Sequence, residues 1–330
     1  MDGDPGIVMP AEISTDVRRA AEILRSGGLV AFATETVYGL GADAGNPAAV
    51  ARIFEVKGRP RFDPLIVHVA DVDQARTLVT EFPEAAERLA RAFWPGPLTL
   101  VLPKCEVVPD LVTAGLPTVA LRVPAHEQAL ALIRAAGRPV AAPSANRFGC
   151  LSPTTAQHVQ EQLGDRIDFI LDGGPCRVGV ESTILDLAGP VPRLLRPGGI
   201  TVEELAPSLD GGIAVERGAV APGEAAPAPG MLRHHYAPRT PLVLVEDWRQ
   251  ASADAKTAVL AFDQAPPGEF LRVEVLSPAG DLREAAARFF AALRRLDACG
   301  AERIIAVRFP SHGLGVALND RLSRASADRE

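Results

Sequence analysis

No stretch of this sequence approaches the roughly 18 consecutive apolar residues that a membrane-spanning helix requires, so no membrane anchor is expected. Cysteine is scarce. Cys105, Cys150, Cys176 and Cys299 are scattered, with neither a CxxC pair nor a nearby histidine cluster, which argues against a zinc site or a disulfide framework. Positive charge is also in short supply: a formal net charge of −7 argues against broad coating of nucleic acid, which needs a basic field. Any anion site has to be local. Neither a Walker-type phosphate loop nor a GxGxxG dinucleotide fingerprint occurs, so the familiar phosphate-binding turns do not explain such a site. No internal repeat is visible. The N-terminal MDGDPGIVMPAEIS is acidic and lacks the basic-then-apolar order of a secretory signal, which points to a cytoplasmic protein.

What is present is a globular composition, 47% hydrophobic and 23% charged, over 330 residues. That length exceeds the usual single-domain size of about 100 to 200 residues, so two domains are expected. Ser14 and Thr15 precede a helical pattern of Val17, Ala20, Ala21 and Leu24 that stops at Gly27-Gly28, and a buried strand follows over Leu29 to Ala33. Asn46 reads as an N-cap with Pro47 at the first helical position, and Val50, Ile53 and Phe54 form the buried stripe before Lys57-Gly58. Leu65 to Val69 is a further strand. Alternation over Thr118 to Val123 puts Val119, Leu121 and Val123 on a buried face and Thr118, Ala120 and Arg122 on a usable one. Helices near 125–136 and 154–164 flank a short strand at 139–142, and Thr201-Val202-Glu203-Glu204 has the form of a capping box.

This alternation places the first domain at 1–207. Residues 208–239, with the tract GEAAPAPG, are too rich in Gly, Ala and Pro to supply much core and read as a linker. Strands near 241–246, 257–262 and 302–307 then alternate with helices near 281–298 and 314–325, making 240–330 a small α/β domain.

The polar segments lie at strand ends. Thr34 to Gly41 carries hydroxyls, a carboxylate and two glycines where an ordinary turn would also serve. Lys57 and Arg59, two apart, would point to one side of an extended segment and could hold adjacent phosphate oxygens, although a solvated basic pair fits the same spacing. His68, within the apolar run LIVHV, suits either a site or a hydrogen-bonded core. Arg122 is harder to treat as structural, because a covered strand face demands an anionic partner for it. Ala141 to Asn146, the turn Gly179 to Thr183 and Arg196 to Gly199 add small side chains and hydroxyls. Lys57, Arg59, Arg122 and Arg196 with Thr36, Ser144 and Ser182 form a set suited to a nucleoside triphosphate and a small carboxylate.

At these residues the sequence resembles the YrdC-like threonylcarbamoyl-AMP synthases, in the long form with an additional C-terminal domain. The segments that carry the resemblance are ATETVYGLGADA, KGRPRFDPLIVHV, WPGPLTLVL, TVALRVPAH, AAPSANRFG, GVESTILDL and LLRPGGIT, then PGMLRHHYAP in the linker. It implies an α/β fold: a YrdC-like twisted mixed sheet with flanking helices, followed by a small Rossmann-like α/β C-terminal domain. It also implies a nucleotidyltransferase that condenses L-threonine, bicarbonate and ATP into threonylcarbamoyl-AMP and pyrophosphate. A downstream tRNA threonylcarbamoyl transferase would use the product in modifying tRNA.

Carried over residue by residue, the resemblance puts Thr36, His68, Arg122, Ala142 and Ser182 around threonine, with Arg122 on its carboxylate. Lys57, Arg59, Asp63, Thr118, Ser144, Ser152 and Arg196 would line the ATP side, Tyr236 would reach it from the linker, and Lys57 and Arg59 are the catalytic candidates. Mg2+ is expected with ATP, held by phosphate and water rather than by a protein cage. Two positions depart from the family pattern: Ala33 stands where proline is usual and Asp63 where asparagine is usual. An ionised aspartate accepts hydrogen bonds but donates none, so Asp63 must pair with Arg59 or Arg61, face a magnesium ion or turn away. Two other readings fit parts of the pattern. One is a carbamoyltransferase-related enzyme, although such proteins carry large domains this chain lacks; the other is a module that contacts tRNA or double-stranded RNA through the cationic face.

Overall fold

The computed structural model describes residues 10–215, 226–231, 235–248 and 253–327. Leu232, Arg233 and His234 of the PGMLRHHYAP segment lie outside the described residues, as do linker residues 216–225.

Among the described residues, the first sheet is built from eleven strands: β1 (Glu12–Ser14), β2 (Val30–Phe32), β3 (Gly39–Asp43), β4 (Ile66–His68), β5 (Leu98–Pro103), β6 (Thr118–Arg122), β7 (Val140–Ala141), β8 (Phe169–Leu171), β9 (Thr183–Asp186), β10 (Arg193–Arg196) and β11 (Ala214–Val215). Their spatial order is β1-β8-β2-β3-β7-β4-β6-β5-β9-β10-β11. The sheet is mixed: β4 and β6 run parallel, while β7 is antiparallel to β3 and β4 and β5 is antiparallel to β6. Around it lie α1 (Val17–Arg25), α2 (Pro47–Lys57), α3 (Val72–Arg76), α4 (Glu84–Phe93), α5 (Asp110–Thr113), α6 (Glu127–Ala136), α7 (Ala156–Leu163) and α8 (Val202–Leu205).

Local chemistry sets several of these boundaries. The Asn46 side chain accepts from the amides of Ala48 and Ala49, Pro47 occupies the first turn, and Gly58 ends α2 with φ +62°, a conformation that glycine adopts at little cost. Thr201 and Glu204 form the reciprocal capping box expected for α8. The alternation in β6 holds: Val119, Leu121 and Val123 enter the main core, and Arg122 lies on the opposite face.

Ser14 and Thr15 precede the first helix as expected, with Ser14 ending the short strand β1 that pairs parallel to β8, and Asp16 caps α1 by accepting from the amides of Arg18 and Arg19. Two expectations change. The first sheet continues beyond residue 207, since β11 adds to β10 and Leu209 and Ile213 pack on the core. The linker also supplies core. Ala226, Ala228 and Met231 are buried against Ile66, Val101, Ala120, Ile184 and Leu195 of the sheet, so part of the usable face is covered by the linker.

The second sheet is wholly parallel, in the order β12 (Leu242–Val245), β15 (Arg303–Val307), β13 (Thr257–Ala261) and β14 (Arg272–Val275), with α9 (Leu282–Asp297) and α10 (Leu314–Ala325) packed on it. Its core does not close on itself. Val37, Leu151, Val180 and Tyr236 join the cluster formed by Phe289, Phe290, Leu318 and their neighbours. Among the described residues, no helix is long and apolar enough to cross a membrane.

Candidate active site

The central strands β7, β4 and β6 bring their ends to one place. His68 of β4 lies opposite Arg122 of β6, and Ala142 directly follows β7. These residues line a cavity with Thr36, from the turn between β2 and β3, and with Ser182, just before β9. All five positions assigned to threonine are thus brought together. Arg59, Ser144, Arg196 and Tyr236 line the same cavity, as do Glu181 and His235, which the sequence alone does not mark as site residues.

Four expected ATP-side positions do not face that cavity. Lys57 is the last residue of α2 and Gly58 is left-handed, so Lys57 and Arg59 are not consecutive same-side positions of an extended segment. Instead Lys57 Nζ donates to the carbonyls of Ser144 at 2.6 Å and Asn146 at 2.5 Å, bracing the loop that carries Ser144. Asp63 is fully buried and pairs with Arg59 at 2.9 Å, the first of the arrangements open to it. Ser152 donates to Glu181 Oε1 at 2.5 Å, one layer behind the cavity wall. Thr118 opens β6 on the face that carries Arg122, four residues and therefore on the order of 13 Å away.

The charge pattern is unusual for an interior. Arg59 faces Asp63, Arg122 lies 2.7 Å from Glu35, and Glu181 pairs with Arg321. The carboxylates of Glu35 and Asp63 sit beside their arginines without the alignment of hydrogen bonds. Lys57 and Arg196 have no carboxylate within ion-pair distance among the described residues. Arg196 instead donates to Ser182 O and Oγ and to Pro229 O at 3.0 Å, tying the turn before β9 to the linker. Two buried cations without a counterion call for an anion from outside, because an uncompensated charge in a protein interior is costly.

Protonation follows the same logic. Burial, then the neighbouring Arg59, lowers Lys57 well below its ordinary 10.5. Burial and then Arg122 hold His68 at about 3, so its ring is neutral near neutral pH. His235 is also pushed well down, first by burial and then by Arg59, Lys57 and Arg196. Burial raises the Tyr236 phenol, whose hydroxyl has no hydrogen-bond partner among the described residues.

The likeness to known proteins extends over nearly the whole chain. A family model described as "Telomere recombination" matches residues 22–198, and one described as "Threonylcarbamoyl-AMP synthase, C-terminal domain" matches residues 200–327. The chain belongs to the threonylcarbamoyl-AMP synthase family. It is 46% identical to the threonylcarbamoyl-AMP synthase of Pyrococcus abyssi, covering 95% of this chain and 94% of that one. The threonylcarbamoyl-AMP synthase of Bacillus subtilis is 44% identical, with 96% of each chain covered. The crystal structure of P. abyssi Sua5 complexed with L-threonine superposes with a TM-score of 0.87 at 43% identity, covering 97% of this chain and 98% of that chain. The expected fold, a mixed sheet with flanking helices followed by a small α/β domain, is the fold observed, and the second sheet is parallel.

Proposed function

We propose that this cavity joins L-threonine, bicarbonate and ATP into threonylcarbamoyl-AMP and pyrophosphate. The observation that carries the reading is the buried, under-neutralised cation set of Lys57, Arg59, Arg122 and Arg196 in a chain of this family. On the threonine side, Arg122 takes the carboxylate, with Thr36, His68, Ala142 and Ser182 around the rest of the amino acid. The amine combines with bicarbonate, losing water, to give a carbamate. A carbamate oxygen then attacks the α-phosphorus of ATP, and the bond to the bridging oxygen of the β-phosphate breaks to release pyrophosphate.

Of the two catalytic candidates, Arg59 lines the ATP side, where Arg196 and the Tyr236 hydroxyl face the triphosphate and Ser144 completes the wall; Lys57 acts from behind, through the loop that carries Ser144. Asp63 and Ser152 support this side from behind through their contacts with Arg59 and Glu181, whereas Thr118 stands apart at the start of β6. No covalent nucleophile is required, and positioning with charge stabilisation supplies the catalysis. Glu181, the carboxylate among the cavity-lining residues, is already engaged by Ser152 and Arg321; this donor set fits Mg2+ carried by the triphosphate and water.

The linker residues Pro229, Gly230 and Tyr236 form part of the cavity wall, and by moving aside they would admit a triphosphate. Returned to place, they would shield the labile carbamate from water. The product would then pass to a transferase acting on tRNA. Direct contact with tRNA or double-stranded RNA has less support, because the four cations are enclosed in the protein and not displayed on a face.

Pyrophosphate release decides the reading. Turnover should require ATP, threonine and bicarbonate together, and equal release without threonine would overturn it; turnover of carbamoyl phosphate instead would point to the carbamoyltransferase alternative.

A further inference from the structure

A long cation from the second unit ends at the wall of the site in the first. Arg321 of α10 is fully buried, and its Nε donates to Glu181 Oε2 at 2.8 Å. The other oxygen of Glu181 accepts from Ser152 at 2.5 Å, so the carboxylate is fixed at both ends as it lines the cavity. The Arg321 guanidinium also lies over the Tyr236 ring, 4.9 Å from its centroid. Nη1 of Arg321 is itself held by Asp320 at 2.6 Å.

Tyr236 needs such support. Its backbone has φ +64°, a left-handed conformation that costs a non-glycine residue free energy unless its surroundings enforce it. The surroundings here are Arg321 on one part of the ring, His235 with its centroid 4.1 Å away, and Phe290 of α9 at 5.8 Å. Two of those three groups belong to the second unit. The phenol hydroxyl, meanwhile, is buried without a partner beside the cavity.

We propose that Arg321 is a positioning residue for the ATP side of the site: by pairing with Glu181 and stacking on Tyr236, it makes the second unit a structural part of the nucleotide pocket. The inference rests on placing Tyr236 on the ATP side. Arginine suits the task because its planar guanidinium can pair through its edge and stack through its face at once, whereas a lysine ammonium can keep the charge but not the stack.

The test compares Arg321→Lys, Arg321→Met and Tyr236→Ala in the full-length protein, with ATP affinity read by calorimetry and KM read separately for ATP and threonine. Loss of a desolvated cation–π contact predicts about a tenfold weaker ATP affinity in Arg321→Lys, with threonine KM within about twofold of the parent. Arg321→Met should be weaker still, so that lysine gives partial rescue. If Arg321 acts through Tyr236, the combination Arg321→Lys/Tyr236→Ala should bind ATP no worse than Tyr236→Ala alone. An ATP affinity unchanged in Arg321→Lys while Tyr236→Ala is impaired overturns the proposal; equal weakening for ATP and threonine does so too, because that is the signature of general loosening. If Tyr236→Ala itself leaves ATP affinity intact, the placement of Tyr236 is what fails. Should Arg321→Met not fold, Arg321→Lys and its combination with Tyr236→Ala still decide the matter.

Discussion

Arg122 already has partners inside the protein: its Nη2 donates to Thr36 Oγ1 at 3.0 Å, its Nε donates to Gly96 O at 3.2 Å, and Glu35 lies alongside. A substrate carboxylate would therefore meet an arginine held in orientation, which limits the entropy lost on binding. Removing a charge-assisted partner from such a desolvated site costs about 2 to 5 kcal/mol, so Arg122→Ala should weaken threonine binding by that amount and leave ATP affinity nearly intact. Threonine titration of both proteins checks this. Lys57 offers a pH-dependent signature. Burial, then Arg59, lowers it in the free site, and a triphosphate would raise it again, so between those two values the ATP complex holds one more proton than the free protein. ATP binding should then take up a proton, and affinity should fall as pH rises through that window. Calorimetry in two buffers of different ionisation enthalpy measures the uptake, which should shrink in Lys57→Met. The sequence made Arg122 legible because β6 alternates strictly. It misjudged the direction of Lys57, since the left-handed Gly58 between the two cations is a tertiary choice that spacing alone does not reveal.

At the level of elements, the linker carries the largest difference between expectation and structure. Its Gly, Ala and Pro content reads as a linker that supplies little core, yet small side chains are what allow Ala226 and Ala228 to lie flat on the sheet. Composition reports conformational freedom, whereas burial depends on the shape of the surface across the gap. Gly230 shows how close the fit is: its φ is +80°, and a Cβ there would stand 2.5 Å from the Tyr236 hydroxyl and 3.1 Å from Arg196 Nη1. Gly230→Ala should thus displace Tyr236 or Arg196 and strain the backbone. We expect a fold that melts within a few degrees of the parent, because the overpacking cost of about 1 to 3 kcal/mol is confined to the linker, with a clear loss of turnover. Thermal melting alongside pyrophosphate release checks both halves. The short strands β1, β11 and β14 were not legible for another reason. Each has two to four residues, too few for a period to emerge, and is recruited by its neighbour's edge.

At the scale of the whole molecule, the two units share one interface that includes the site. Val37, Leu151 and Val180 of the first unit complete the core of the second, and Arg294 of α9 donates to the Leu151 carbonyl at 2.5 Å. None of this could be read from the sequence, since the apolar residues concerned lie in loops with no period to mark them. Gly179 permits the closest approach. Its φ is +75°, and a Cβ there would meet the α9 backbone at 2.2 Å from Ala286 O and 2.5 Å from Ala287 Cα. Such a contact cannot be relieved by a side-chain rotation, so Gly179→Ala must push α9 away from the turn that carries Glu181 and Ser182. The parent should unfold in a single calorimetric transition, because the core of the second unit is completed by residues of the first. In Gly179→Ala the interface should loosen, splitting that transition in two or lowering its midpoint, and ATP affinity should fall with it because Glu181 and Tyr236 both sit at the displaced boundary. Scanning calorimetry with an ATP titration tests the coupling: an unchanged single transition with unchanged affinity would mean that α9 yields locally and that the units are not energetically joined through the site.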